Sequence, residues 1–130
     1  MEKDPIQKLT SICDAKKPHL ETMFELQKDF QEMVGNQDKI YQEKPDGSFV
    51  MESTISLIDE LMEALRETPW KSWKTNQELN IHRMREEIID AWHFLINLSM
   101  AAGMNSDDVY SKFVEKNWIN RERQIKGIKK

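Results

Sequence analysis

At 130 residues the chain is one domain by length, and its 19 Lys and Arg against 23 Asp and Glu leave a net charge of −4, with no global basic field for gripping a nucleic-acid backbone. The single cysteine, Cys13, excludes an intramolecular disulfide framework and a Cys-rich zinc site, and without a signal-like apolar opening the expected compartment is the cytoplasm. Four Gly and four Pro beside eight Met and abundant Glu, Lys, Gln and Leu predict an all-α protein.

Asp4-Pro5 reads as a helix cap followed by proline at the first helical position, so a short peripheral helix runs to about Cys13. Lys17-Pro18 reopens helical structure, with apolar positions at Leu20, Met23, Phe24, Leu26, Phe30 and Met33 before Gly35-Asn36 stops it. From Gln37 to Val50 the pattern lapses, and Lys44-Pro45-Asp46-Gly47 marks a turn, read as a loop in preference to an Asp-Gly hairpin. Leu57, Leu61, Ala64 and Leu65 form the apolar stripe of a helix from about Met51 to Glu67, which Pro69 terminates.

Thr75-Asn-Gln-Glu78 has the form of a capping box that starts the next helix, and Gly103 ends it. Within that helix, Ile88 to Met104 is the most apolar stretch of the chain; with Asp90, His93 and Asn97 inside it, it is too short and too polar to span a membrane and predicts a buried core helix. The last helix runs from about Ser106 toward Gly127. Tyr110, Val114, Trp118, Ile125 and Ile128 make its expected core stripe, and Lys116, Asn117, Asn120, Arg123, Gln124 and Gly127 occupy a neighbouring arc of about 120°. The elements predict a four-helix bundle-like domain over residues 1–130.

Two carboxylate pairs, Glu60/Glu63 and Glu87/Asp90, carry the chemistry. Three-residue spacing projects each pair from one side of its helix. No Lys or Arg occurs from Gly47 through Leu65 or from Glu86 through Ser111, so local salt bridges cannot neutralise them. If the two helices are antiparallel, four acids face one another, an oxygen-rich set that suits Mg²⁺, or Mn²⁺. With the positive, amide-rich arc of the last helix and the loop tryptophans Trp70 and Trp73, this chemistry suits a nucleoside triphosphate. Neither a Gly-rich phosphate loop nor a Ser-His-Asp arrangement is apparent. His82 and His93 lack the spacing of a zinc pair and predict structural roles, and Trp92 and Trp118 predict packing.

The ordered motifs resemble the MazG-like all-α nucleoside triphosphate pyrophosphatase superfamily, whose Glu-x-x-Glu and Glu-x-x-Asp signature is matched by Glu60, Glu63, Glu87 and Asp90. Trp70-Lys-Ser-Trp73-Lys74 and Lys116-Asn-Trp-Ile-Asn120-Arg-Glu-Arg123-Gln124-Ile-Lys-Gly127 resemble elements of its dimeric dUTPase branch. The resemblance covers about residues 20 to 128. It implies that Glu60, Glu63, Glu87 and Asp90 hold Mg²⁺, with Glu60 activating water. It also implies that Lys116 and Arg123 contact phosphates, that Asn120 and Gln27 recognise the nucleoside and uracil, and that Trp70, Lys71 and Trp73 belong to the substrate pocket. Gln31, also on the substrate side, stands where the branch commonly has Asn, and Ile128 stands where it has Tyr.

The expectation is therefore a dimeric, Mg²⁺-dependent enzyme converting dUTP, and in some measure dUDP, to dUMP, with a small nucleotide and a second copy as its partners and neither nucleic acid nor membrane. A less selective pyrophosphatase acting on dCTP or damaged nucleotides and a non-catalytic helical interaction module are the alternatives.

Overall fold

The computed structural model describes residues 4–13, 16–40 and 47–127. Among them it is all-α, as the sequence predicts, with six helices and no strand. Helix α1 (Pro5–Ile12) is capped as expected: Asp4 Oδ1 accepts from the backbone N–H groups of Ile6 and Gln7, both at 2.9 Å. Helix α2 (His19–Met33) ends at Gly35, whose φ of 82° only glycine adopts without strain. The Asn36 N–H then donates to the Gln31 carbonyl at 2.8 Å, closing the helix end.

Helix α3 (Gln37–Ile40) departs from the expected lapse. Lys39 and Ile40 both donate to the Asn36 carbonyl, at 3.0 and 3.2 Å, and Ile40 is buried. One turn is too short to display a period. The predicted turn over Lys44-Pro45-Asp46 lies outside the described residues. Helix α4 (Ser48–Arg66) starts earlier than expected, because left-handed Gly47 turns the chain directly into it and its carbonyl accepts from Met51 N–H at 2.9 Å.

The start of α5 (Ile81–Ala101) corrects the capping box at Thr75. Asn76 is left-handed at φ 62°, and Gln77 Nε2 donates to the carbonyls of Lys71 and Lys74. A helix cannot pass through such a residue. The cap is Asn80, whose side chain accepts from Arg83 N–H at 3.2 Å. Helix α6 (Ser106–Ile125) opens on a reciprocal box: Asp108 N–H donates to Asn105 Oδ1 at 2.8 Å, and Asn105 N–H donates to Asp108 Oδ2 at 3.0 Å.

The chain forms two compact units, Met1–Leu26 with Met104–Lys130, and Gln27–Gly103. In the second unit α4 and α5 pack against each other. Asn80 N–H donates to the Glu67 carbonyl at 2.8 Å, and Glu60 and Glu63 lie beside Glu87. Position falls along α4 as it rises along α5, so the pair is antiparallel. The buried apolar residues of the second unit are Ile40, Phe49, Ala64, Ala91, Ile96 and Met100.

Several expected core positions are exposed. Helix α6 has no buried residue, and Tyr110, Val114, Trp118 and Ile125 of its predicted stripe all face solvent in the single chain; Ile128 lies outside the described residues. On α4, Leu61 and Leu65 of the predicted stripe are exposed, as are Met51, Ile55, Ile58 and Met62 beside it; on α5, Ile88, Leu95 and Trp92, from which packing was expected, are exposed too. A helical period marks an apolar face but not what covers it. Among the described residues no helix is long and apolar enough to cross a membrane.

Candidate functional site

The antiparallel pairing of α4 and α5 brings Glu60, Glu63 and Glu87 together, each offering a carboxylate oxygen within 4.8 Å of the others. Asp90, one turn beyond Glu87, is exposed and stands outside that tight group, but its charge acts on both Glu60 and Glu87. Glu60 Oε2 is shut off from solvent without a hydrogen-bond partner. A buried, unpartnered carboxylate oxygen is unfavourable unless a cation or proton meets it.

Titration reflects this. Burial raises the Glu60 carboxyl above the ordinary 4.5; contact with Glu87 opposes that, and the charges of Glu63 and Asp90 add to it. Contact with Glu87 is the main cause raising Glu63, and contact with Glu60 the main cause raising Glu87. Two ionised carboxylates have no hydrogen to share, so these contacts are favourable only when a proton or cation lies between them. Three hard oxygen donors in mutual reach, one of them unpartnered, can hold a divalent cation.

The sign of the pH dependence follows. Carboxyls raised in the folded state bind protons more tightly than in the unfolded chain, so their contribution is fully present below 4.5 and is lost as pH rises through the raised values. Metal-free protein is expected to lose thermal stability from this source as pH rises above 4.5, and added Mg²⁺ to raise the melting temperature more in a neutral buffer than in an acidic one at that value. Equal Mg²⁺ shifts in both buffers in a melting series would rule out the three carboxylates as its site.

The segment joining α4 to α5 holds the loop residues. The rings of Trp70 and Trp73 meet edge to face at 5.9 Å between centroids, and Lys71 Nζ lies 5.4 Å from the Trp70 ring centre. Arg66, Thr68, Trp70, Lys71, Lys74, Gln77 and Glu78 line a cavity of about 350 Å³. Three cations against one carboxylate favour an anion there. Trp73 is well exposed and is not part of that lining.

Gln27 and Gln31 are buried on α2 within the second unit. Gln27 Nε2 donates to Asn97 Oδ1 at 2.8 Å, and Asn36 Nδ2 donates to Gln31 Oε1 at 2.8 Å. Lys116, Asn120 and Arg123 lie one turn apart on α6, in the first unit. His93 Nδ1 donates to the Ile89 carbonyl of its own helix at 2.9 Å.

Sequence reasoning did not single out Asn97, Asn36 and Gln77, whose amides bond to Gln27, Gln31 and the carbonyls of the tryptophan loop. Asn97 did carry a signal, an amide inside the most apolar helix, where a buried polar group requires a partner.

A dCTP pyrophosphatase of Enterobacteria phage T4 is 33% identical to this chain over 70 aligned residues, an alignment covering 45% of this chain. The chain spans 41% of the length of that curated relative. No solved structure matches it. The sequence profile of the dUTPase family matches residues 19–105, from the first residue of α2 to the cap of α6. That match takes in the acidic cluster, both buried glutamines and the tryptophan loop, and it covers more than half of the chain: the protein belongs to the dUTPase family, within the MazG-like all-α nucleoside triphosphate pyrophosphatase superfamily.

Proposed function

We propose that this protein is a Mg²⁺-dependent dUTP pyrophosphohydrolase, releasing dUMP and pyrophosphate, with dUDP as a secondary substrate. The observation that carries the reading is the group of three glutamate oxygens within 4.8 Å of one another on α4 and α5, in a chain of the dUTPase family. Glu60, Glu63, Glu87 and Asp90 are the proposed ligands for Mg²⁺, with Mn²⁺ as the substitute. Bound there, the ion supplies positive charge for phosphate oxygens and lowers the pKa of water.

Glu60 is the proposed proton acceptor. Its carboxyl is raised by burial and its Oε2 has no donor to satisfy it, so it is suited to take up a proton. Water adds its oxygen to phosphorus, its proton passes to Glu60, and the anhydride bond between the α- and β-phosphates breaks. Lys116 and Arg123 are proposed phosphate contacts and Asn120 a nucleoside contact. Gln27 and Gln31 would read the base, and Trp70, Lys71 and Trp73 would shape the pocket. The exposed apolar faces of α4 and α5 support a homodimer, in which a second copy removes them from water.

Pyrophosphate release from a panel of deoxynucleoside triphosphates with Mg²⁺ tests the reading. The expected result is dUTP first. Preference for dCTP would favour a second reading, to which the phage relative points by its name, and no release from any nucleotide would end the enzymatic reading in favour of a helical interaction module.

A further inference from the structure

Two buried glutamines one turn apart on α2 are held in opposite senses. Gln27 gives an amide hydrogen to Asn97 Oδ1, in a buried contact between residues 70 apart in sequence. Gln31 instead receives one at its Oε1 from Asn36. A primary amide has two donors on nitrogen and an acceptor oxygen, so what each neighbour takes decides what each glutamine has left to offer. Gln27 turns its nitrogen to Asn97 and keeps Oε1 as an acceptor. Gln31 keeps Nε2 as a donor.

The terminal torsion of a glutamine is broad and roughly two-fold, so its own chain does not choose between nitrogen and oxygen. The neighbour it pairs with makes the choice. That neighbour, Asn97, is 3% exposed and lies on α5, where Ile96 and Met100 are also buried. Turning the Gln27 amide alone would set oxygen against oxygen without water to relieve it, leaving both acceptors unpaired.

We propose that Asn97 is a positioning residue for base selection: by accepting from Gln27 Nε2 it turns the Gln27 carbonyl toward the nucleobase, where it accepts the N3 hydrogen of uracil. This rests on the dUTP reading above and on Gln27 as a base contact. At the same ring position cytosine carries a lone pair, which an oxygen repels and an amide nitrogen would welcome. Gln31, with Nε2 uncommitted, is set to donate to a carbonyl oxygen beside N3. Asn97 itself touches no substrate in this account; it acts through Gln27.

Three proteins decide it: wild type, Asn97→Leu and Asn97→Asp, each with kcat and KM for dUTP and dCTP. An ionised Asp can only accept, so it holds Gln27 in the proposed sense, whereas Leu releases it. Asn97→Leu is expected to raise the KM for dUTP about tenfold and narrow the dUTP preference, with kcat within about twofold of wild type, since a site that loses one oriented hydrogen bond loses discrimination. Asn97→Asp is expected to keep the wild-type preference. A folded Asn97→Leu with unchanged KM and preference, or an Asn97→Asp shifted toward dCTP, overturns the proposal.

If Asn97→Leu does not fold, the Asp variant still decides. So does solvent exchange of the Gln27 side-chain amide hydrogens in unliganded wild type: slow exchange is expected, and exchange as fast as that of an exposed glutamine overturns it. Wild-type protein that hydrolyses no nucleotide would remove the dUTP reading, while the exchange measurement still reports whether Asn97 holds Gln27.

Discussion

Glu60→Gln is expected to lower pyrophosphate release by about 10²–10⁴-fold while the far-ultraviolet circular dichroism stays that of the wild type. Gln keeps the size of the side chain and one acceptor oxygen but can neither take a proton nor contribute charge. The site is unusually sensitive to that change, because Glu60 has a shielded oxygen without a partner and lies against two other carboxylates. In the metal-free protein the same substitution relieves repulsion among Glu60, Glu63 and Glu87, so it is not expected to destabilise the fold. The metal dependence separates the two roles of the residue. If raised Mg²⁺ restores the rate, Glu60 only binds metal; if the rate stays low at saturating Mg²⁺, it handles the proton.

Ile96→Ala is expected to cost about 2–4 kcal/mol of unfolding free energy, read as a lower urea midpoint at unchanged slope. Ile96 is 5% exposed in the second unit, among a short set of buried apolar side chains, so removing three carbons leaves a void in a core with little to spare. Ile58→Ala is the informative contrast. Ile58 is exposed in the single chain, so in the proposed homodimer its cost should grow with dimer formation and shift the midpoint in a concentration-dependent way. Equal, concentration-independent costs at both positions would contradict this division between intrachain core and dimer surface.

Local codes in the sequence were read well. Asp4 before Pro5, Gly35 and Gly103 each mark a helix end through a bond or a backbone angle formed within a few residues. The Glu-x-x-Glu and Glu-x-x-Asp pairs were legible for a similar reason, since helical spacing alone places each pair on one side and a short antiparallel connection brings Glu87 against the first pair. Thr75-Asn-Gln-Glu78 misled because a capping box needs helical backbone after it, whereas Asn76 is left-handed and Gln77 spends its amide on loop carbonyls. The stripe on α6 misled in another way: its period is real, but exposure depends on neighbours that a period cannot specify. Asn97 carried a signal as an amide in an apolar run, but its partner is 70 residues away, and such a run does not say with what the amide pairs.

The hydrogen bond from Asn80 N–H to the Glu67 carbonyl has an evolutionary reading. It pins the two ends of the tryptophan loop together at its root, just beyond the point where α4 and α5 hold Glu63 and Glu87. Residues added to or removed from the tip would be absorbed above that root, and the acids would keep their separation.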